Sequence, residues 1–70
     1  SDYDIKNWIA IDKIRHEIGK DTITEKCLLT RAKEALDNEE YEKASAIQLE
    51  IKTKVAALTA LYDVYKKNLL

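Results

Sequence analysis

The sequence has no proline, no methionine and no phenylalanine, and a single glycine, Gly19. With one glycine a Gly-rich phosphate loop is excluded. One cysteine, Cys27, rules out an intrachain disulfide, and with one histidine, His16, no Cys/His set stands at metal-ligand spacing. No metal and no cofactor is therefore expected. No apolar run approaches 18 residues and no apolar stretch follows a basic start, so neither a membrane span nor a secretion signal is read. The lone thiol suits a reducing compartment, and a cytoplasmic location is the expectation. The first residues, Ser1-Asp2, fit a chain that has lost its initiator methionine before a small residue; they fit a trimmed piece equally well.

Apolar residues make up 46% of the 70 and charged residues 36%. That mixture favours a packed helical protein over a disordered chain, which would be poorer in apolar side chains. Seventy residues form one small domain, residues 1–70, with a limited core and marginal stability. Lacking any covalent or metal staple, such a chain most readily gains buried area by self-association, and a homodimer is expected. Twelve Lys and Arg stand against 13 Asp and Glu, a net charge of −1. Nucleic-acid binders usually carry a basic excess, so the overall balance lowers that function without removing a local patch.

The expected fold is all-α, with three helices. Ile5, Trp8, Ile11, Ile14 and Ile18 recur at steps of three and four, placing a short amphipathic helix over Asp4–Ile18 with those residues on its buried face. Gly19 follows where a left-handed residue commonly ends a helix. Thr22 and Glu25 form a capping-box pattern that opens a second helix, with Leu28 or Leu29, Ala32 and Leu36 as its stripe. Asp37-Asn38 interrupts the pattern and offers N-caps for a third helix. That helix runs unbroken from Glu39 to about Asn68, some 45 Å if fully helical. Its main apolar line is Ala44, Ile47, Ile51, Val55, Leu58, Tyr62, Tyr65 and Leu69, with pairs eleven residues apart, the repeat of a nearly straight helix.

A second apolar line runs through Ala46, Leu49, Ala57, Leu61 and Val64. Two apolar lines on one helix exceed what two short partners can cover. The half beyond Lys54 is therefore expected to meet a second copy or another protein, with self-association in the manner of a coiled coil through Ile51, Val55, Leu58, Leu61, Tyr62 and Tyr65. The alternative is that the first helix folds back over it. The terminal YKKNLL could also serve as a docking tail.

Between the second and third helices lie five carboxylates within nine residues: Glu34, Asp37, Glu39, Glu40 and Glu42. The last three are expected in the first turn of the third helix, where unpaired N–H groups and the dipole favour negative charge. Glu34 and Asp37 end the preceding helix, where charge of that sign is unfavourable. The corner is more acidic than capping requires, which points to a basic partner at Glu39, Glu40, Tyr41 and Glu42.

The same stretch, NEEYEKASAIQLEIK, resembles the UVR motif, a helical hairpin found in nucleotide-excision-repair proteins and in partners of Clp-family chaperones. The resemblance is carried by Glu39-Glu40, Tyr41, Glu42, Ala44-Ser45, Ile47, Glu50 and Ile51. The preceding LLTRAKEAL looks like the family's first helix, so the likeness spans Glu25–Leu58. It departs at Gln48-Leu49, where the family usually has an Arg-Asp pair; a charge pair is lost and apolar surface gained. The resemblance implies a hairpin for protein–protein contact, often with another such hairpin, and no enzymatic activity. It hints at a DNA-repair or stress-response setting.

Catalysis finds little to stand on. His16 is expected to face solvent, and Cys27, beside Leu28-Leu29, is a small buried side chain rather than an activated thiol. No carboxylate pair is set apart by spacing. The reading is a non-enzymatic accessory module that self-associates and docks a partner protein. The alternative is nucleic-acid binding through Lys13, Arg15, His16, Lys20, Lys26, Arg31 and Lys33, with Trp8 or Tyr3 stacking on a base. Asp12, Glu17, Asp21, Glu25 and Glu34 are interleaved with those bases, as on an ordinary solvated face.

Overall fold

In the computed structural model, residues 2–67 are described, with side chains from residue 5 onward. Three helices account for most of them: α1 spans Asp2–Gly19, α2 spans Leu28–Asp37 and α3 spans Tyr41–Lys67. No strand occurs among the described residues. The all-α, three-helix expectation is met, including the long third helix of 27 residues.

α1 and α2 lie one after the other along α3, both antiparallel to it. α2 covers the first half, where Leu28, Ala35, Ala44 and Ile47 form a cluster joined by Ile18, Ala32 and Ile51. α1 covers the second half. Asn7 Nδ2 donates to the Leu61 carbonyl at 3.2 Å, Lys54 donates to Glu17, and Trp8 meets Tyr65 edge-on at 5.1 Å between ring centroids. One arm of the hairpin is thus continuous and the other is broken at residues 20–27. The result is a plate only one helix thick, 48 × 24 × 11 Å across its Cα atoms.

The buried stripe of α1 differs from the expected one. It is Asn7, Ile11, Ile14 and Ile18, with Ile11 completely buried and Asn7 buried beside it. Asn7 occupies an inward position because its amide reaches α3's backbone, which satisfies it. The stripe is consequently rotated away from Ile5 and Trp8, which are 60% and 43% exposed. In α2 the inward residues are Leu28, Ala32 and Ala35; Leu29 and Leu36 fall on an exposed flank.

The helix boundaries also move. Thr22 Oγ1 does accept the Glu25 N–H, at 2.9 Å, but the Thr22 N–H donates to the Glu25 carbonyl, closing a turn instead of opening a helix. α2 begins six residues later, at Leu28. There Asp21 holds the N-cap residue in place: its Oδ1 accepts the Cys27 N–H at 2.7 Å and its Oδ2 accepts the Thr30 hydroxyl. These bonds, chiefly the one from the Cys27 backbone, hold the Asp21 carboxyl below its ordinary pKa.

At the other end of α2, Asp37 is the last helical residue and Asn38 its C-cap, so neither caps α3. The Glu39 N–H donates to the Leu36 carbonyl and the Glu40 N–H to the Ala35 carbonyl. That pair of bonds is a Schellman motif, whose left-handed position is usually glycine. Here it is Glu39, at φ 60°. Gly19 has no positive φ, so the chain's one glycine does not play the capping role its position implied.

Candidate functional site

The acidic corner is built by that Schellman turn. Glu40 supplies the first carbonyl to α3, accepting the Ala44 N–H, and only Glu42 of the three expected glutamates stands in α3's first turn. Three of the five carboxylates have cations nearby. Lys26 donates to Glu34, Lys33 pairs with Asp37 at 3.0 Å, and Lys43 lies 4.0 Å from Glu40. The hydrogen bond to Glu34 holds the Lys26 ammonium above its ordinary pKa. Among the described residues no cation pairs with Glu39 or Glu42, so the uncompensated charge of the corner is concentrated on those two. Tyr41 beside them is 64% exposed.

The residues expected to mediate self-association are divided. Ile51 packs against the α2–α3 cluster. Leu58, Leu61, Tyr62 and Tyr65 are half-buried along α1, with Tyr65 against Trp8. Val55 is 45% exposed, and on the second apolar line Leu49 is 66% exposed. The half of α3 beyond Lys54 is therefore covered in part by α1, the alternative weighed from the sequence. Leu69 and the side chain of Tyr3 lie outside the described residues.

Helix geometry sorts the remaining side chains onto two broad faces. Successive residues turn by about 100°. On α3, going one way from the inward line reaches Lys54, Leu61, Glu50 and Lys43; going the other way reaches Val55, Tyr62, Gln48 and Tyr41. The Glu17–Lys54 and Asn7–Leu61 bonds fix the first flank as one shared with α1. On that side a cleft of about 340 Å³ opens between Lys13, His16 and Glu17 of α1, Lys20, Thr22 and residues 25–28 of the loop and helix start, Arg31, and Glu50 and Lys54 of α3. A second cleft continues it toward Glu34, Asn38, Glu40 and Lys43. This is the polar face.

Five of the seven basic residues proposed for nucleic acid, Lys13, His16, Lys20, Lys26 and Arg31, line the first cleft together. Lys54, which the sequence reading did not include, joins them. Arg15 and Lys33 do not: Arg15 is on the opposite flank of α1, and Lys33 is engaged with Asp37. Glu17, Glu25 and Glu50 share the cleft, and the hydrogen bond from Lys54 holds the Glu17 carboxyl below its ordinary pKa. The same bond raises the Lys54 ammonium. His16 is exposed, with Nε2 3.9 Å from Asp12. Cys27 is buried, its sulfur 3.3 Å from the Thr30 hydroxyl.

On the opposite face stand Trp8, Leu29, Leu36, Tyr41 and Val55, between 43% and 64% exposed. None of them lines either cleft. Sequence reading missed this face because it assigned Trp8 and Leu36 to buried stripes and grouped Val55 with Leu58, Leu61, Tyr62 and Tyr65 in a self-association surface on α3 alone.

Among the described residues no group of three His, Cys, Asp or Glu could hold a metal ion, and no helix is long and apolar enough to cross a membrane. The chain matches no family model, no curated protein and no solved structure.

Proposed function

We propose that this chain is a non-enzymatic protein–protein interaction module, which self-associates and presents its acidic hairpin corner to a partner protein. The observation that carries the reading is surface area. A folded monomer of 8.1 kDa is expected to expose about 4,500 Å²; this chain exposes 5559 Å². The excess, together with large apolar side chains left in the open, is the signature of surface meant to be covered. The hairpin's resemblance to the UVR motif supports the same role. Light scattering across a wide concentration range tests it: a dimer is expected, and a monomer throughout removes self-association. For the corner, Glu39→Lys with Glu42→Lys should keep the melting curve and abolish partner capture; undiminished capture makes the corner mere solvation.

A second reading, nucleic-acid binding, is favoured by one observation: Lys13, His16, Lys20, Lys26 and Arg31 converge on one cleft. Retention of a single-stranded oligonucleotide, weakening steeply with salt, supports it, and no binding at low salt removes it.

A further inference from the structure

We infer that a second copy of this chain seats on the broad apolar face carrying Trp8, Leu29, Leu36, Tyr41 and Val55, and not on the outer apolar line of α3. This rests on the self-association proposed above and specifies its surface. A domain is normally two packed layers around one core, whereas this plate is a single layer with only a seam buried between its arms. Two plates stacked on their apolar faces would supply the missing layer.

The areas agree. A face of 48 × 24 Å has an outline of roughly 1,150 Å², and a standard interface buries about 800 Å² on each partner. The outer line fits less well: Ala46, Leu49 and Ala57 form a narrow edge on which a partner would meet α3 alone.

The face is also arranged to pair with itself. Leu29 and Val55 lie near the middle of the plate. Leu36 and Tyr41 lie toward the end where α2 turns into α3, and Trp8 lies toward the other end, beside Tyr65. A twofold axis lying across the helices through the middle puts Trp8 of one copy over Leu36 and Tyr41 of the other, apolar on apolar at both ends. The clefts, with the Glu17–Lys54 and Lys26–Glu34 pairs, stay on the outside and need not be desolvated; Arg15, on the Trp8 flank of α1, is long enough to carry its charge to the rim.

Three variants with the same charge change test this: Leu36→Lys and Val55→Lys on the face, and Leu49→Lys on the outer line. Mass is read by light scattering, helix content by circular dichroism, and the environment of the only tryptophan by fluorescence. The expected result is a wild-type dimer whose Trp8 emission shifts to the blue as it forms. Leu36→Lys should be a helical monomer with red-shifted emission, and Leu49→Lys an unchanged dimer. Because Leu36 and Trp8 occupy opposite ends of one chain, that shift with helix content unchanged arises through the second copy. Should Leu36→Lys lose helix, Val55→Lys gives the same reading of mass. A dimer that survives Leu36→Lys and Val55→Lys, or one broken also by Leu49→Lys, overturns the assigned face while self-association stands. A wild type that is monomeric up to millimolar concentration overturns both.

Discussion

The chain places its one glycine where no left-handed residue is needed and a glutamate where one is. Glu39 sits at φ 60° in the Schellman turn that joins α2 to α3. A left-handed conformation costs an ordinary L-residue about 1–2 kcal/mol, through contact of its Cβ with the following carbonyl. Glu39→Gly removes that contact but restores freedom to the unfolded chain, which costs about 0.4–1 kcal/mol. The net gain expected is roughly 0.5–1 kcal/mol, or about 2–8 °C in Tm for a domain of this size. The converse holds at Gly19. A Cβ there would meet only Leu29 Cδ1, at 3.8 Å, an ordinary contact, and the backbone is helical. Gly19→Ala should therefore stabilise by about 0.4–1 kcal/mol. The two sites share no partners, so their effects should add. Thermal melts by circular dichroism read all of this at one protein concentration, which matters if the chain self-associates. Glu39→Ala is the essential control, since it removes the charge and keeps the Cβ. If Glu39→Gly melts at or below wild type, or if Glu39→Ala gives the same gain, the strain argument is refuted and the effect belongs to charge.

Other expectations follow from the same contacts. Ile11 is fully buried between α1 and α3, and Ile11→Ala should cost about 2–4 kcal/mol, enough to lower the melting transition sharply in a chain this small; an unchanged transition would mean α1 does not pack as described. The Glu17–Lys54 pair should leave a pH signature. Glu17 titrates below its ordinary value, so its contribution is present above that value and lost as pH falls through the lowered one; Lys54 titrates high, so its contribution is lost only as pH rises past the raised value. The Tm difference between wild type and Lys54→Met should therefore be flat from about pH 5 to 10 and shrink on either side; a difference that persists at pH 3 would place its origin elsewhere. Asp21→Ala should fray the start of α2 and speed labelling of the buried Cys27 thiol, and an unchanged labelling rate would deny Asp21 its hold on the N-cap residue.

Helix number and rough extent were legible because α1 and α3 carry apolar residues at helical spacing over long stretches, and such periodicity survives small errors of phase. Phase itself was not. A polar residue inside the stripe, Asn7, rotated the inward face of α1, and nothing in its neighbours announces that its amide would reach the Leu61 carbonyl. A small residue, Ala35, took the inward place on α2 in preference to Leu36, and it shares the buried cluster with another small residue, Ala44. Local polar motifs misled for a different reason. Thr22 and Glu25 can close a turn as well as open a helix, and the competing hold of Asp21 on the N-cap residue decided the matter from six residues away. The acidic corner was visible as a cluster, but its charge balance was not, since Lys26 reaches Glu34 only across the turn between loop and helix.

That outcome bears on how such a small chain could act. Had Ile5, Trp8, Leu36 and Val55 all turned inward, the molecule would leave far less large apolar surface in water. Instead Trp8, Leu29, Leu36, Tyr41 and Val55 stand together on one broad face away from the clefts, while Ile5, Ile9, Ile23 and Leu49 are exposed as well. Folding by itself gains nothing from leaving apolar surface of that size in water. In a stacked pair, each copy would contribute one outward cleft and one acidic corner whose Glu39 and Glu42 pair with no cation among the described residues. Two identical corners on a rigid pair convert a weak contact into a bivalent one, provided the partner is itself repeated or paired at matching spacing. The stoichiometry of any captured partner is thus the quantity that connects fold to role: two partner chains per pair follows from outward corners, and one partner chain bridging both corners follows only if they lie on the same side.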